Sequence, residues 1–237
     1  MGISERLKNK LQENSIKQHP KAASRAQSMK KYAQWVKTYS SLNPKNIFEI
    51  GANYAQDAEG LRYYLNLEPE DVWVFEAHPD ICKEIEKLYH FHIYNVAVFN
   101  QEKEIPFNTI DINATTNSGI SSLYQNDHLK EKTKAIKVKA IRMENFMKEH
   151  KISKIDFLKL DVEGSNYEVL EGFGDRLVDV NVIHIESEHQ EVWTDQKLYS
   201  DIEIILKKNG FEMVIFERYL SQSDSLWVQE KYIKKEF

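Results

Sequence analysis

Apolar and polar residues follow each other in a pattern that predicts short strands, each followed by a helix. Apolar runs at Ile47–Ile50 and Val72–Glu76 precede helical stretches at Ala55–Leu65 and Pro79–Tyr89. Short, nearly continuous apolar runs of this kind are typical of strands buried on both faces of a parallel sheet. The same pattern predicts strands at His92–Val98, Ile155–Asp161 and Val180–Glu186, and helices at Asn166–Glu171 and Leu198–Asn209.

The end of the chain has a different pattern. Phe211–Glu217 and Ser225–Lys231 predict two antiparallel strands joined by a polar loop. Strands that alternate with helices indicate a doubly wound α/β fold. We therefore predict a Rossmann-like, mostly parallel seven-stranded sheet with an antiparallel C-terminal hairpin. Residues 101–150 are less regular, with extra strands predicted near Ile105–Ile110 and Ile136–Ile141 around a polar loop, Asn113–Asn126.

Residues 1–42 form a separate, basic, helical N-terminal extension in this interpretation, and residues 43–237 form the α/β domain. Helical spacing of apolar residues predicts one helix that packs on the core through Ala22, Ala26, Met29, Ala33, Val36 and Tyr39. A shorter helix is predicted around Ile3–Leu11, with a break at His19-Pro20.

Composition excludes several classes of protein. The chain has 237 residues, of which 41% are hydrophobic and 29% charged, so it is neither collagen-like nor mostly disordered. It has no run of eighteen apolar residues, which argues against a transmembrane helix, and no apolar stretch typical of a secretory signal. The single cysteine, Cys82, cannot form an internal disulfide or a cysteine-based zinc site. We expect a cytoplasmic protein.

Charge is distributed unevenly. Residues 1–45 contain ten Lys or Arg and two acids, a net charge of +8, which leaves −13 for the other 192 residues. An acidic body repels a nucleic-acid backbone, so we expect no nucleic-acid partner. The basic arm is either a solvated helical face or a site of peripheral contact with an anionic surface or acceptor.

Four of the five predicted parallel strands have carboxylates at their carboxyl ends, where ligands bind in open α/β sheets. These residues are Glu49, Glu76, Asp161 and Glu186. Gly51 permits a tight turn, and an acid at the second strand end is suited to bind ribose hydroxyls. The full G-x-G-x-x-G pattern of dinucleotide sites is missing, and Glu49 would repel phosphates. A cationic nucleoside such as S-adenosylmethionine (SAM) fits these residues better than a dinucleotide.

Three segments resemble the FkbM-type family of class I SAM-dependent methyltransferases. They are Phe48–Asn53, Val74–Pro79 and Ile155–Gly164, of which the last, with the pattern D-F-x-K-x-D-x-E-G, is the most specific. Ser118–Leu123 resembles the serine-rich loop of the family, and Ile183–Glu186 resembles a later strand that closes with Glu. Glu49 replaces the commoner Asp, and Ala55 stands where a second Gly is frequent. The resemblance covers about residues 46–230.

The resemblance implies a methyltransferase domain over residues 43–237, with SAM as cofactor. It implies O-methylation of a hydroxylated acceptor: a polysaccharide, a glycolipid or a glycosylated natural product. By the same resemblance Glu49, Gly51, Ala52 and Asn53 face the methionine part of SAM, Glu76 and Ala77 hold the ribose, and Ala97 lies along the adenine. Asp161 lies beside the amino group and the methyl group.

A sugar hydroxyl is a poor nucleophile, so a base that removes its proton should accelerate the transfer. The candidates are Asp161, Glu163, Glu186 and His189. Lys159 alternates onto the same strand face as Asp161 and would orient it, or form a buried ion pair with it. Glu163 is alternatively a helix N-terminal acid, and His184 is interpreted as a core residue. The four candidate bases could also bind Mg²⁺.

The polar loop Asn113–Asn126 is suited to hydrogen-bond a sugar, and Trp193 and Tyr124 could stack on a sugar ring. Trp35, Trp73 and Trp227 are interpreted as core residues. Two alternatives to a methyltransferase remain at this point: a non-catalytic binding or scaffold module with the same fold, and an NAD(P)-dependent oxidoreductase. The sequence does not indicate the oligomeric state.

Overall fold

The computed structural model describes residues 27–110, 121–124 and 133–235. The helices are α1 (Lys30–Tyr39), α2 (Gln56–Leu65), α3 (Pro79–Leu88), α4 (Met143–Glu149), α5 (Asn166–Gly172) and α6 (Tyr199–Lys208). The strands are β1 (Ile47–Ile50), β2 (Val72–Phe75), β3 (His92–Tyr94), β4 (Ala97–Val98), β5 (Glu104–Ile110), β6 (Thr133–Ile141), β7 (Phe157–Leu160), β8 (Val182–Glu188), β9 (Phe211–Tyr219) and β10 (Gln222–Gln229). Short 3₁₀ turns lie at Pro69–Asp71, Gly174–Asp179 and Glu230–Tyr232.

The main sheet has seven strands in the order β3-β2-β1-β7-β8-β10-β9. The first five of these strands are parallel to one another, and β10 is antiparallel to both β8 and β9. This arrangement confirms the predicted mostly parallel sheet with an antiparallel C-terminal hairpin. The strand order reverses direction between β1 and β7, and the carboxyl ends of these strands therefore flank the place where an open α/β sheet binds its ligand.

Two apolar layers cover the two faces of this sheet. One face carries Phe48, Leu158 and Ile183 and packs against α4, α5 and α6. The other carries Ile47, Phe157 and Leu226 and packs against α1, α2 and α3. These strand residues are fully buried, which is why each strand has an almost continuous apolar sequence.

A second sheet has the order β4-β6-β5, where β4 and β6 are parallel and β5 and β6 antiparallel. The two extra strands predicted in residues 101–150 are therefore confirmed as β5 and β6. The single strand predicted over His92–Val98 is wrong, because β3 belongs to the main sheet and β4 to the second one. Asn95 separates them: its side-chain amide donates to the carbonyl oxygens of Glu76 and Ala77, at 2.8 and 3.2 Å, and turns the chain away.

Helix α4 was not predicted. Its apolar residues Met143, Phe146 and Met147 follow helical spacing and are buried in the layer that also contains Phe75. Helix α1 confirms the described part of the predicted N-terminal helix and buries Tyr32, Ala33 and Val36. The short helix around Ile3–Leu11, the break at His19-Pro20 and most of the loop Asn113–Asn126 lie outside the described residues.

Within the described residues, every helix is too short or too polar to cross a membrane.

Candidate active site

The turn after β1 contacts the ends of both neighbouring strands, β2 and β7. The N–H groups of Gly51 and Ala52 both donate to the carbonyl oxygen of Phe75, at 3.0 and 3.2 Å. Gly51 has a φ of 77°, and a Cβ at this position would lie 2.1 Å from the carbonyl oxygen of Asp161. Only glycine fits here. The turn therefore lies flat against the end of β7 and leaves the space above it open.

Glu76, at the end of β2, is held in one orientation by the backbone. Its two carboxylate oxygens accept hydrogen bonds from the N–H groups of Asn53 and His78, each at 2.7 Å. The side chain is buried, and this burial raises the pKa of Glu76 to about 7, although the N–H donors work in the opposite direction. A carboxylate fixed in this way can accept further hydrogen bonds from a ligand in the cleft.

Glu49 lies below the turn and does not line the cleft. It is 2% exposed, and its Oε2 accepts a hydrogen bond from the Ala58 N–H at 3.1 Å. Burial, together with the nearby Asp57 carboxylate, raises the pKa of Glu49 well above its usual value. Glu49 therefore supports the start of α2 through this hydrogen bond and is not among the residues that line the cleft.

Lys159 and Asp161 form an ion pair at the end of β7. Lys159 Nζ lies 2.9 Å from Asp161 Oδ2 and 3.9 Å from Asp57 Oδ2. Burial disfavours the ammonium, but the carboxylates of Asp161 and Asp57 outweigh this effect and raise the pKa of Lys159. The ion-pair interpretation of Lys159 is therefore confirmed, whereas its role in orienting Asp161 for the reaction stays a prediction.

A cleft opens above these strand ends and contains about 580 Å³ of space, its mouth included. Its polar lining residues include Asn53, Glu76, Asp161 and Glu163. Its apolar lining residues include Phe75, Ile81, Val96, Ala97, Val98 and Phe107.

These residues fit SAM. The Glu76 carboxylate has the chemistry to accept hydrogen bonds from two ribose hydroxyls. The apolar residues around Ala97 form the kind of surface that a purine ring requires. The Asp161 carboxylate also lines the cleft and suits a positively charged amino group. Gly51, Asn53, Ala77 and Ala97 also line the cleft as predicted, whereas Ala52 takes part through its backbone turn.

A group of carboxylates surrounds the ends of β7 and β8. Burial and the charges of Asp161, Glu186 and Glu188 raise the pKa of Glu163 well above its usual value. Burial, followed by repulsion from Asp161, raises the pKa of Glu186 to about 8, and burial raises that of Glu188 to about 7. Several acids that share one site and repel each other in this way often belong to catalytic centres.

The structure does not bring all predicted residues to the cleft. His189 packs against Tyr199, with 4.8 Å between ring centroids, and its Nε2 lies 3.0 Å from Ser223 Oγ. Burial lowers the pKa of His189. Lys159 and Glu186 are also not among the residues that line the cleft. In the described ranges, no three His, Cys, Asp or Glu side chains are placed to hold one metal ion, so the structure does not support the predicted Mg²⁺ site.

The serine-rich loop forms one wall of the cleft through Ser121, Ser122 and Leu123. Ser122 Oγ donates to the carbonyl oxygen of Glu163 at 2.5 Å, and its backbone pairs with that of Asn108. The Tyr124 hydroxyl hydrogen-bonds the Glu168 carboxylate of α5. These contacts join the loop to the turn that follows β7.

Trp193 cannot stack on a sugar in this structure, contrary to the sequence-based interpretation. It is 3% exposed, because its ring packs on the backbone of Gly164. The core assignment of Trp227 is confirmed, as is that of His184, which is buried on the α1 side of the sheet. Glu188 and Gln196 were not predicted as site residues. Gln196 Oε1 accepts the N–H groups of Val192 and Trp193, each at 2.6 Å, and this fixes the loop that follows β8.

A model of the FkbM methyltransferase domain matches residues 49–213 of this chain. Among solved structures, the FkbM methyltransferase of Methylobacillus flagellatus is similar in fold, with 11% sequence identity and a TM-score of 0.50. The match covers 78% of this chain and 44% of that protein, so this chain spans less than half of its length.

Two further solved structures are similar at lower scores. Magnesium protoporphyrin IX methyltransferase from Synechocystis, solved with bound SAM, has 12% identity over 86% of this chain and 79% of that one, with a TM-score of 0.47. The ribosomal protein L11 methylase of Lactobacillus delbrueckii has 9% identity over 89% and 80%, with a TM-score of 0.42. No protein of curated function matches the sequence significantly.

The seven-stranded sheet, its reversed strand order and the acid-lined cleft define a class I methyltransferase fold. The domain match covers most of the chain, and the chain therefore belongs to the FkbM methyltransferase family. It is accordingly a SAM-dependent methyltransferase.

Proposed function

We propose that this protein transfers the methyl group of SAM to a hydroxyl of a sugar or glycan-type acceptor, such as a polysaccharide, a glycolipid or a glycosylated natural product. The observation that carries the proposal is the group of carboxylates beside the cleft, formed by Asp161, Glu163, Glu186 and Glu188. A hydroxyl acceptor needs a proton acceptor at the reacting oxygen, and its other hydroxyls need hydrogen-bond acceptors. Carboxylates provide both.

The cofactor half of the site supports the same function. When bound, SAM supplies an electrophilic methyl group. Glu76 would bind the ribose, the apolar wall around Ala97 the adenine, and Asp161 the amino group. The Lys159 ammonium holds Asp161 in place, so the cofactor is positioned by a side chain that is itself fixed. Such positioning supplies much of the acceleration in a displacement reaction.

On the acceptor side we expect a strongly acidic environment, because Asp161, Glu186 and Glu188 lie close enough to Glu163 to repel its charge. Carboxylates with a raised pKa are suited to remove a proton near neutral pH, because their basicity is closer to that of the solution. The same acidity disfavours acceptors that carry phosphate or carboxylate groups near the reacting hydroxyl. We therefore expect a neutral or amino-bearing sugar.

Calorimetric titration with S-adenosylhomocysteine tests the cofactor assignment. We expect binding to the native protein, a large loss of affinity in Glu76→Ala, and no binding of NADH. Glu70→Ala is the matched control, because Glu70 is an exposed acid in the turn just before β2. Equal affinity in both variants would contradict the role of Glu76, and NADH binding would favour an oxidoreductase.

The acceptor class is tested with methyl-labelled SAM and a panel of acceptors. The panel contains methyl glycosides of hexoses, 6-deoxyhexoses and hexosamines, and the same sugars bearing a phosphate or a carboxylate. We expect an O-methylated product from a neutral or amino sugar, identified by mass spectrometry and NMR. Label found on nitrogen or carbon, or transfer only to the phosphorylated sugars, would overturn the proposal.

A further inference from the structure

The four candidate bases are not equivalent in their positions. Asp161 and Glu163 line the cleft, whereas Glu186 and His189 do not. Asp161 already accepts the Lys159 ammonium at 2.9 Å, so its charge is neutralised and one of its oxygens is occupied. In the described part of the chain, no Lys, Arg or His nitrogen forms a comparable ion pair with Glu163. Of the four candidate bases, Glu163 is thus the one that lines the cleft and has no cationic partner within the described residues.

The backbone of Glu163 is held on both sides. On one side, its carbonyl oxygen accepts the Ser122 hydroxyl at 2.5 Å. On the other side, Gly164 has a φ of 79°, and a Cβ there would lie 2.7 Å from atoms Cδ1 and Cγ of Trp193. Gly164 thus lets the indole ring pack directly on the chain next to Glu163, an approach that a side chain at this position would prevent.

Trp193 is itself fixed. Its backbone N–H donates to Gln196 Oε1 at 2.6 Å, and its carbonyl oxygen accepts the Gln196 N–H at 3.2 Å. Because the ring is 3% exposed, water is excluded from the indole Nε1. Nε1 is bonded to Cδ1, the atom that packs on Gly164, next to Glu163 in the chain. This indole N–H is buried and has no hydrogen-bond partner among the residues that the structure describes. A buried N–H needs an acceptor, and the neighbouring Glu163 carboxylate, whose charge it favours, is the acceptor that we assign to it.

We propose that Glu163 removes the proton from the acceptor hydroxyl, and that Trp193 is a positioning residue that holds the Glu163 carboxylate through its indole N–H. In this step the hydroxyl oxygen forms a bond to the methyl carbon, the carbon–sulfur bond breaks with its electron pair going to sulfur, and the proton moves to Glu163. The inference rests on the proposed function, since it assumes a hydroxyl acceptor.

The charges around Glu163 act in two directions. Asp161 at the end of β7, and Glu186 and Glu188 at the end of β8, repel its negative charge, while the Trp193 indole from the following loop favours it. The three carboxylates make Glu163 a stronger base, and the indole keeps this side chain ionised in a larger fraction of the molecules. Removal of the indole N–H should therefore shift the acidic limb of the rate profile to higher pH.

The first test compares Glu163→Gln with Glu186→Gln. Both replacements keep the size of the side chain and remove a charge from a crowded acidic group, so both variants should fold. We expect Glu163→Gln to lower kcat by about 10²–10⁴-fold, with the affinity for S-adenosylhomocysteine unchanged, and Glu186→Gln to have a far smaller effect. Retained kcat in Glu163→Gln, or an equal loss in Glu186→Gln, would overturn the assignment of the base.

The second test needs no acceptor. The indole resonances of ¹⁵N-tryptophan-labelled protein are followed by NMR during a pH titration, and the Trp193 signal is assigned with Trp193→Phe. We expect this signal to titrate in the native protein and to lose that titration in Glu163→Gln. Trp193→Phe should also move the acidic limb of the kcat profile to higher pH. A Trp193 signal that titrates equally in both proteins would overturn the positioning role.

The two proposals fail in distinguishable ways. If native enzyme methylates nitrogen or carbon, the proposed function fails, while the effect of Glu163→Gln is still measured on that acceptor. If no acceptor in the panel is methylated, the O-methyltransferase proposal and the base role fail together. The proposed contact between Trp193 and Glu163 is then still tested by the pH titration of the indole resonance.

Discussion

Tyr32 of α1 places its ring against that of His184 in β8, with 4.0 Å between the ring centroids. Its hydroxyl donates to Glu217 Oε2 of β9 at 3.1 Å, and the neighbouring Lys31 forms an ion pair with the same carboxylate. Burial and the charges of Lys159 and Lys31 lower the pKa of His184, so the imidazole is neutral. Helix α1 thus completes the buried face of the sheet behind the Lys159–Asp161 pair.

We expect Tyr32→Ala to lower the free energy of unfolding by about 3 kcal/mol, because it removes a fully buried aromatic ring. Tyr39→Ala on the same helix is the control, since Tyr39 is 43% exposed and should cost about 0.5 kcal/mol or less. Urea unfolding curves measure both. Similar small losses in the two variants would mean that α1 is an appended extension, as the predicted boundary at residue 42 implies, rather than part of the core.

Removal of the buried ammonium should be costly. Lys159→Met leaves Asp161 and Asp57 near each other without their shared cation, and we expect a loss of about 3 kcal/mol. Lys83→Met, which breaks an exposed pair with Asp80, should cost about 0–1 kcal/mol. The comparison uses urea unfolding of both variants. Equal stabilities would show that the Lys159 pair contributes no more than a surface pair.

Comparison of Gly51→Ala with Gly210→Ala separates the cost of backbone strain from the cost of close packing. Both Gly51 and Gly210 have a positive φ, but a Cβ at Gly51 would meet a backbone oxygen at 2.1 Å, whereas at Gly210 it would meet only the flexible end of Gln229 at 3.2 Å. We expect Gly210→Ala to cost about 1 kcal/mol and Gly51→Ala clearly more. Gly51→Ala should also weaken binding of S-adenosylhomocysteine. If the two variants are equally stable, the contact with Asp161 can relax without cost.

Stability in the absence of ligand should fall as the pH rises above about 6.5. The folded-state pKa values of Glu76 and Glu188 are about 7 and that of Glu186 about 8, whereas an ordinary Glu titrates near 4.5. Between these values the folded protein holds more protons than the unfolded chain, so a rise in pH favours unfolding. His184 and His189, whose pKa values are lowered by burial, act in the opposite direction only below about pH 6.5, where unfolded histidines become charged.

Thermal melts at about pH 6.5 and about pH 8.5 test this pH dependence. We expect a lower Tm at the higher pH, and a smaller difference in Glu188→Gln, which also should melt higher than native protein at about pH 8.5. Glu70→Gln, at an exposed position, should leave the difference unchanged. A native Tm that is constant or rises with pH would contradict the raised pKa values.

The sequence predicted the main sheet well, because buried parallel strands leave continuous apolar runs. Ile47–Ile50 matches β1 in both bounds, and the order of strands and helices follows the usual connections of α/β folds. The split of His92–Val98 could not be predicted, since it depends on hydrogen bonds from Asn95 to residues near the end of β2. Helix α4 could have been found, because Met143, Phe146 and Met147 carry the required spacing.

The positions of candidate site residues at strand ends could be predicted from the sequence. The positions of residues that approach the site from loops could not. Glu76 and Asp161 follow directly from the ends of β2 and β7. The burial of Glu49 beneath the turn, and the packing of Trp193 on Gly164, depend on distances between segments that no local pattern encodes. Glu188 was not singled out, although it lies between the candidates Glu186 and His189, because its burial at the end of β8 is not encoded in the local pattern.

The partners of α1 come late in the chain. The Tyr32–Glu217 hydrogen bond joins residues 185 positions apart. Just after the helix, the Ser41 hydroxyl donates to the carbonyl oxygen of Tyr232, 191 positions later. During synthesis from the N-terminus, these contacts form only after the last two strands have left the ribosome. The apolar face of α1 therefore remains incompletely covered for most of translation, and completion of this face is a late step in folding.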